Sequence, residues 1–173
     1  MNKSESELIQ EGAAYAYIDK KLKYLNDYTP TLLYNDKDHK IKTAIVSELL
    51  TCDEFMICVS FIRFSGIDSL INQFDDTLKR GVKGRIITTD YLGFSEPKAL
   101  SYILEHYPNI ELKMYRIGDE GNVGFHTKGY IFRKGDKYDV IVGSSNLSDD
   151  ALNINKEWNT KTINATDGAF LGE

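Results

Sequence analysis

Apolar residues recur along the chain with two spacings, one helical and one strand-like, and these spacings predict the order of the elements. Over residues 6–26 the spacing is helical and predicts an amphipathic helix, followed by an irregular segment around Pro30. Three more helices are predicted, over residues 40–50, 66–80 and 95–107. Gly81 ends the second of these three and Pro108 ends the third.

Short apolar runs between the helices predict strands. They cover residues 55–60, 85–89, 111–115, 129–132, 138–142 and 157–163. The runs GYIF and YDVIV are separated only by the turn-rich RKGDK, which predicts an antiparallel hairpin. Ser148, followed by two acidic residues, predicts the start of one short helix. The order of elements predicts a single-domain α/β fold with a mixed β-sheet flanked by helices on both faces.

The composition sets limits on function. A chain of 173 residues with 42% hydrophobic residues is long enough for one packed domain. Its formal net charge of −5 argues against nonspecific coating of nucleic acid or membranes, so any polyanion site must be local. The first ten residues lack a basic start and an apolar core, and no run of about 18 apolar residues occurs. We therefore expect a cytoplasmic protein without a membrane span.

Two cysteines, Cys52 and Cys58, lie in the run TCDEFMICVS and are predicted to be core thiols in a reducing compartment. A zinc site would need His39 or His106 to join them. No C-x-x-C or H-x-x-x-H spacing occurs, so the sequence predicts no metal ligand.

A histidine and a lysine lie two residues apart at the start of the predicted hairpin, in the stretch GFHTKGYIF. Side chains alternate along a strand, so His126 and Lys128 are predicted to project from one face. A neutral imidazole is nucleophilic at neutral pH, and a fixed cation beside it suits phosphate chemistry.

The second strand of the hairpin runs directly into GSSN, residues 143–146. Gly143 allows the backbone to turn or to approach a ligand closely, while Ser144 and Asn146 offer side-chain hydrogen bonds. The short helix predicted after this loop directs its N-terminus back toward it. Donors at a helix N-terminus favour negative charge, so the sequence predicts an anion site here.

Together, His126-Thr127-Lys128 and Gly143-Ser144-Ser145-Asn146 resemble the H-x-K…G-S-x-N signature of the phospholipase D superfamily. Glu157 falls where the nuclease branch of that superfamily places an acid. The stretches SFIRFSGIDSL, IITTDYLGFSEPKAL and GSSNLSDDAL…EWN are similar to the phospholipase D-like nuclease domain at the N-terminus of certain DEAD/DEAH-type helicases and restriction-type enzymes. The resemblance implies an N-terminal helix and irregular lead-in over 1–39, the nuclease domain over 40–163, and a tail or the start of a linker over 164–173.

The sequence departs from the family pattern in two ways. The superfamily usually has an Asp five residues after the Lys, and here that position is Arg133, with Asp136 displaced into the turn. The family's active site also needs two H-x-K motifs, but His39 and His106 are not followed by a lysine two residues later, so this chain has one. A homodimer that completes the active site is therefore expected.

The resemblance implies a mechanism that the residues could also support unaided. His126 would attack phosphorus and form a phosphohistidine, and the partner's His126 would protonate the leaving oxygen and then activate water. Lys128 and Asn146 would hold the nonbridging oxygens, with Ser144 as a supporting donor. Glu157 would orient an imidazole through its other nitrogen. No cofactor or metal is required, because fixed donors and cations replace it.

Further residues are predicted to contact the substrate. They are Gly143, Ser145, Arg63 and Tyr91. Arg63 would reach phosphate or cap a solvated face, and Tyr91 would line the site or be a plain loop residue. Trp158 is interpreted as a packing residue, with base stacking as the alternative.

The leading hypothesis is a metal-independent nuclease domain that acts on DNA, as one module of a longer restriction or helicase-like protein. No G-x-x-x-x-G-K-[ST] phosphate loop occurs, so any ATP-driven motor lies outside these residues. One alternative is a noncatalytic DNA-binding or dimerisation module of the same fold. A lipid phosphodiesterase would share the catalytic residues. It would be expected to have an apolar entrance to the site and two H-x-K motifs in one chain.

The hairpin also carries a prediction about strand register. If His126 lies opposite Asn146 and Lys128 opposite Ser144, all four side chains share one face. This register requires an odd-length turn centred on Asp136, or a bulge.

Overall fold

The computed structural model describes residues 3–22, 26–117, 124–165 and 168. The α-helices in these ranges are α1 (Glu5–Tyr17), α2 (Ile41–Leu49), α3 (Phe64–Ser69), α4 (Ile71–Arg80) and α5 (Pro97–His106). The strands are β1 (Thr31–Leu33), β2 (Glu54–Val59), β3 (Lys83–Thr89), β4 (Ile110–Tyr115), β5 (Lys128–Lys134), β6 (Lys137–Gly143) and β7 (Asn159–Ala165). A 3₁₀ turn at Tyr91–Gly93 and a π-helical turn at Asp150–Ile154 lie in the connections.

The seven strands form one mixed sheet in the order β1-β7-β6-β5-β2-β3-β4. The β2, β3 and β4 strands are parallel, and helical segments connect them. The β5 strand pairs with β2 antiparallel, and β6, β7 and β1 continue the sheet in antiparallel pairs. This architecture confirms the predicted single-domain α/β fold with a mixed sheet.

The core lies on one face of the sheet. Alternate residues of β2, namely Phe55, Ile57 and Val59, are buried there, as are Tyr130 and Phe132 of β5. Helices α2, α3, α4 and α5 all contribute buried residues to this same cluster. The sequence predicted helices on both faces, but these four helices pack on one, because the strand registers place the cluster's strand residues on the same face of the sheet.

The first helix is shorter than its apolar pattern predicted. It ends at Tyr17, while the prediction ran to residue 26 and included residues 23–25, which lie outside the described ranges. Ile18, assigned to the apolar face, is 80% exposed. A short helix draws most of its stability from tertiary packing, and the exposed Ile18 contributes none at the end of α1.

Two further boundaries differ from the prediction. The helix predicted over 66–80 is two helices, which meet at Leu70 with φ −118° and ψ 9°. Leu70 is fully buried, so core packing fixes a residue that leaves helical geometry. Gly81 ends α4 in the left-handed region at φ 71°, as predicted. The β1 strand lies inside the predicted irregular lead-in, and two of its three residues are exposed.

Candidate active site

The predicted site residues lie along one edge of the sheet, which we call the site edge. Strands β2, β3 and β4 end there, β5 begins there, β6 ends there and β7 begins there. Residues far apart in the sequence therefore meet at this edge. They include Arg63 after β2, Tyr91 after β3, His126 before β5, Ser144 after β6 and Glu157 before β7.

His126 and Lys128 are in direct contact. The Lys128 Nζ lies 2.8 Å from His126 Nδ1 and donates to the His126 backbone carbonyl at 2.9 Å. Strand β5 begins at Lys128, so His126 precedes the strand. The direction of its side chain therefore does not follow from the alternation of strand side chains. The lysine reaches back to the histidine instead. His126 is exposed, whereas Lys128 is only 6% exposed.

The contact has a consequence for the imidazole. A lysine ammonium can only donate, so His126 Nδ1 accepts, and the proton of the neutral ring then lies on Nε2. Burial lowers the pKa of Lys128, and the negative charge of Glu157 partly opposes this shift. The site thus holds a buried cation that is kept close to one ring nitrogen.

The predicted hairpin register is wrong. Strands β5 and β6 pair with Gly129 opposite Val142 and Lys134 opposite Lys137, around the two-residue turn Gly135-Asp136. Continued by one residue, this register sets Lys128 level with Gly143 and not with Ser144. Gly135 has φ 58°, and a glycine with positive φ at the first turn position permits a two-residue hairpin turn. Ser144 and Asn146 therefore reach the site from a loop rather than from the strand.

Hydrogen bonds to buried polar groups hold this loop. Ser145 is fully buried, and the Asn159 side chain donates from Nδ2 to Ser145 Oγ at 2.9 Å. The Tyr130 hydroxyl donates to the Ser145 carbonyl at 3.0 Å. The Ser145 hydroxyl is thus hydrogen-bonded inside the fold, and its contact with substrate stays a prediction. Burial raises the pKa of Tyr130, and the charge of Glu157 adds to the shift.

Gly143 also has a structural role. A Cβ on this residue would lie 2.1 Å from the Trp158 carbonyl oxygen and 2.5 Å from Asn159 Oδ1. The close approach that the sequence predicted is real, but the neighbouring group belongs to the start of β7. Gly143 is therefore required for packing, and its contact with substrate stays a prediction.

Ser144 and Glu157 form a second polar pair at the site edge. The Ser144 hydroxyl donates to Glu157 Oε2 and accepts from the Trp158 N–H at 3.1 Å. The Ser144 N–H donates to the Trp158 carbonyl at 3.1 Å. Trp158 itself is 73% exposed, so its interpretation as a packing residue is wrong. The role of Glu157 in orienting an imidazole stays a prediction, because its hydrogen bond within the chain is to Ser144.

Asn146 is oriented by the backbone at the end of β2. Its Oδ1 accepts from the Phe61 N–H at 3.2 Å. Because that N–H can only donate, the amide oxygen must face it, and Nδ2 faces elsewhere. Within the described ranges Nδ2 has no hydrogen-bond acceptor, so it can donate to a ligand.

Arg63 and Tyr91 lie farther along the same edge. Arg63 Nη1 pairs with Glu96 Oε1 at 3.1 Å, and its guanidinium lies 5.7 Å from the Phe61 ring centroid. The hydrogen bonds from Phe64 N–H and Arg63 lower the pKa of Glu96. Tyr91 is 46% exposed and contacts Phe94. Their contacts with substrate stay predictions.

Position 133 lies away from the site. Strand alternation puts Arg133 on the opposite face of β5 from Lys128, and five residues of strand separate them by roughly 16 Å. Its Nη2 pairs with Glu54 Oε1 at 3.3 Å. The contacts of Arg133 are thus with the neighbouring strand and not with the site residues.

Three residues that shape the site were not predicted from the sequence. Phe61 acts through its backbone N–H, which no side-chain pattern reveals. Tyr130 and Asn159 act as buried partners of the loop, and Asn159 is only 1% exposed. Asn159 directly follows Glu157 and Trp158 in the stretch EWN. This position was the sequence signal for its role, since a buried Asn needs hydrogen-bond partners.

The described residues also bear on metal binding and membrane spanning. Across residues 3–22, 26–117 and 124–165, no three His, Cys, Asp or Glu side chains are grouped so that they could hold a metal ion. In that part of the chain no helix has the length and apolar character needed to span a bilayer. Cys52 is buried and Cys58 half-buried, and burial raises the pKa of both thiols.

Residues 47–167 match the family model described as "Cardiolipin synthase, PLD-like domain". The chain is similar to NucT from Helicobacter pylori, with a TM-score of 0.59 and 23% identity over 80% of this chain and 86% of that one. It is also similar to Nuc from Salmonella typhimurium, a phospholipase D family member, with a TM-score of 0.61 and 19% identity over 83% and 89% of the two chains.

A third solved structure, phosphatidylserine synthase from Haemophilus influenzae Rd KW20, has a TM-score of 0.64 and 15% identity over 83% of this chain. The match spans only 36% of the synthase. At these identities the likeness concerns the fold. No curated protein matches the chain.

Proposed function

We propose that this chain, which belongs to the phospholipase D superfamily, is a phosphodiesterase that cleaves DNA. The observation that carries the proposal is the buried Lys128, whose ammonium lies against the His126 ring and has no carboxylate partner among the described residues. A buried cation without a counterion is costly, and an anionic ligand would relieve that cost. Nearby Asn146 Nδ2 supplies a second donor for the same phosphate.

The proposed reaction begins with attack by His126 Nε2 on phosphorus. A nitrogen–phosphorus bond forms, the bond to the leaving oxygen breaks, and that oxygen takes a proton from a second imidazole. Water then attacks phosphorus, gives its proton to that second imidazole, and releases His126. Lys128 and Asn146 stabilise the charge on the nonbridging oxygens in both steps.

The present ring contact adds one step. Attack from Nε2 requires its lone pair, so the ring proton must lie on Nδ1, whereas Lys128 now occupies Nδ1. We infer that a bound phosphate draws the ammonium off the ring, and that a Glu157 carboxylate then accepts a hydrogen bond from Nδ1–H and keeps the proton on that nitrogen during attack. The carboxylate would come from the same subunit after Ser144 releases it, or from the partner.

The second imidazole is proposed to come from another copy of the chain. One H-x-K sequence supplies one nucleophile, and a two-fold dimer would place two His126 rings across a shared cleft. The same symmetry would double Lys128 and Asn146 and create a basic slot on an acidic protein. We further propose that the domain works as a module of a restriction or helicase-like protein in the cytoplasm.

Cleavage of labelled DNA in EDTA tests the proposal. The unmodified chain should cut DNA with and without the chelator, and His126→Ala should lose turnover to background. His106→Ala is the matched control, because His106 is an exposed histidine at the end of α5, next to the opposite edge of the sheet. Loss of activity in EDTA and its return with a divalent ion would contradict the metal-independent mechanism.

Mixing subunits tests the shared site. If wild-type chains and His126→Ala chains exchange freely, only wild-type pairs keep both rings, so turnover should fall with the square of the wild-type fraction. A linear fall would show that each chain works alone, as would an active monomer in sedimentation.

A lipid phosphodiester is the second candidate substrate. The matched family model is described by a lipid synthase, and the exposed Leu92 and Phe94 provide apolar surface at the site edge. Turnover of phosphatidylglycerol in mixed micelles, with no cleavage of DNA, would favour this candidate. No turnover of either substrate would favour a noncatalytic binding or dimerisation module.

A further inference from the structure

The 3₁₀ turn after β3 presents apolar side chains to solvent beside the site. Tyr91 is 46% exposed, Leu92 70% and Phe94 42%. Exposed apolar side chains are normally scattered singly, whereas these three lie within four consecutive residues and the rings of Tyr91 and Phe94 are in contact. A cluster of this kind points to a ligand that covers it.

The backbone of this turn is tightly fixed. Leu92 has φ 50°, which a branched residue adopts only at a cost, and Gly93 follows with φ 65°. The Tyr91 N–H donates to Thr89 Oγ1 at 2.9 Å, and the Gly93 N–H donates to the Asp90 carbonyl at 3.1 Å. The turn thus holds its apolar side chains in a defined position.

A chain of ring contacts connects the turn to the phosphate-binding residues. Tyr91 packs edge to face with Phe94 at 6.0 Å between centroids, and Phe94 packs in the same way with Phe61 at 6.1 Å. The Phe61 N–H in turn holds Asn146. We call Phe61, Tyr91 and Phe94 the aromatic ledge. The hydrogen bond from the Phe61 N–H connects the aromatic ledge to Asn146, which is a proposed phosphate donor.

We propose that the aromatic ledge binds an unpaired nucleobase next to the phosphate held by Lys128 and Asn146, so that the substrate is single-stranded nucleic acid. This inference rests on the proposed function. Bases in a duplex cover each other's faces, so only an unstacked base can lie on an aromatic side chain. Stacking of this kind tolerates any base, which suits a nuclease without base-specific contacts.

The polar groups beside the ledge favour a base over a lipid chain. The Arg63–Glu96 ion pair borders the Phe61 ring and can hydrogen-bond to the edge of a base. A lipid acyl chain offers no hydrogen-bonding partner to this ion pair. Among the described ring contacts, Tyr91 touches only Phe94, which leaves a ring face for stacking.

Binding of short fluorescent oligodeoxynucleotides to the full chain tests the proposal, with His126→Ala as the background to prevent turnover. Added to that background, Tyr91→Ala and Phe94→Ala should each raise the Kd for a twelve-residue oligothymidine by roughly fivefold to a hundredfold. Tyr91→Phe should keep the affinity, and Leu104→Ala is the exposed apolar control on α5.

An abasic oligonucleotide of the same length isolates the ledge from the phosphate contacts. It carries the same charges without bases, so the ledge variants should bind it as the background does. Equal losses on the abasic strand, or on a blunt duplex, would overturn the proposal. Unchanged oligothymidine binding together with weaker binding to phosphatidylcholine vesicles would assign the ledge to lipid instead. Turnover of methyl p-nitrophenyl phosphate by the unmodified chain tests the proposed function separately.

Discussion

Strand β5 carries a lysine at each end on the same face of the sheet, and the two lysines have opposite surroundings. Lys134 forms ion pairs with Glu48 and with Asp139, the latter at 3.2 Å. Glu48, 2% exposed at its side chain, also pairs with Lys161. Lys128 lies on the His126 ring and carbonyl and, within the described part of the chain, pairs with no carboxylate.

The pKa values follow this difference. Burial lowers the pKa of Lys134, but the hydrogen bond and charge of Glu48 outweigh it and raise the pKa overall. Burial lowers the pKa of Lys128, and only the charge of Glu157 opposes it. We call Glu48, Lys134, Asp139 and Lys161 the Glu48 cluster. A charge balanced inside the chain contributes to the fold, and an unbalanced one is available to a ligand.

The comparison predicts its largest effect at Lys128. Lys128→Met should lower turnover by about 10²–10³-fold, because one fixed donor to the phosphoryl oxygens is lost. The free energy of unfolding should stay within about 1 kcal/mol of wild type or rise, since a buried unpaired cation is removed. Urea denaturation and steady-state kinetics on the same preparation measure both. A large loss of stability would show that Lys128 is a structural lysine like Lys134.

The opposite result is expected at Glu48. Glu48→Gln should lower the free energy of unfolding by about 2–3 kcal/mol, because Lys134 and Lys161 lose their shared partner. Turnover of the folded fraction should be unchanged. Glu54→Gln is the control, since its pairs with Arg133 and Arg85 are much more accessible to solvent than Glu48 and should contribute less than about 1 kcal/mol. Equal effects of the two substitutions would remove the distinction between buried and surface pairs.

Asn159 combines the two cases, because it is a buried polar residue whose hydrogen bond to Ser145 holds the site loop. Asn159→Asp keeps the oxygen but loses the donor to Ser145, and should lower stability by about 1–2 kcal/mol. Turnover should fall about tenfold, because loss of the hydrogen bond to Ser145 lets the loop move. A tenfold change in rate corresponds to about 1.4 kcal/mol of activation free energy. Asn164→Asp, on the half-buried end of β7, is the control. Full activity in Asn159→Asp would show that the loop is held by other contacts.

The smallest effect concerns pH. Burial raises the pKa of Glu48, but its hydrogen bonds to Asp139 and to the two lysines outweigh this and lower the pKa below 4.5. Its stabilisation is therefore complete above pH 4.5 and is lost as the pH falls through the lower, folded-state value. The stability difference between wild type and Glu48→Gln should shrink below pH 4.5 in urea titrations. A difference that is constant with pH would mean that the carboxylate charge is not what stabilises the cluster.

Much of the fold followed from local patterns. Apolar runs predicted strands β2 to β7, and Gly81 ended α4 where its freedom at positive φ is needed. The H-x-K and G-S-x-N residues lie at one edge of the sheet because each follows or precedes a hairpin strand that the apolar runs predicted. These features depend on residues close together in the chain, where spacing alone carries the information.

Other features depend on choices that spacing does not encode. Alternation tells which face a residue occupies, but the turn at Gly135 decides which residue lies opposite, and the predicted register was off by one position. Lys128 and Lys134 are equivalent in pattern, and only the packing of α2 brings Glu48 to one of them. The roles of Phe61 and Asn159 likewise appear only when distant segments meet.

Trapping the covalent intermediate tests the phosphohistidine mechanism. Oligodeoxynucleotide with ³²P at internal phosphates should be mixed with excess enzyme, quenched in alkali during turnover and separated by denaturing electrophoresis. We expect protein-bound label that survives alkali and is released by acid. The label should map to His126 and be absent from His126→Ala. Rapid cleavage without protein-bound label, or label on another residue, would contradict it.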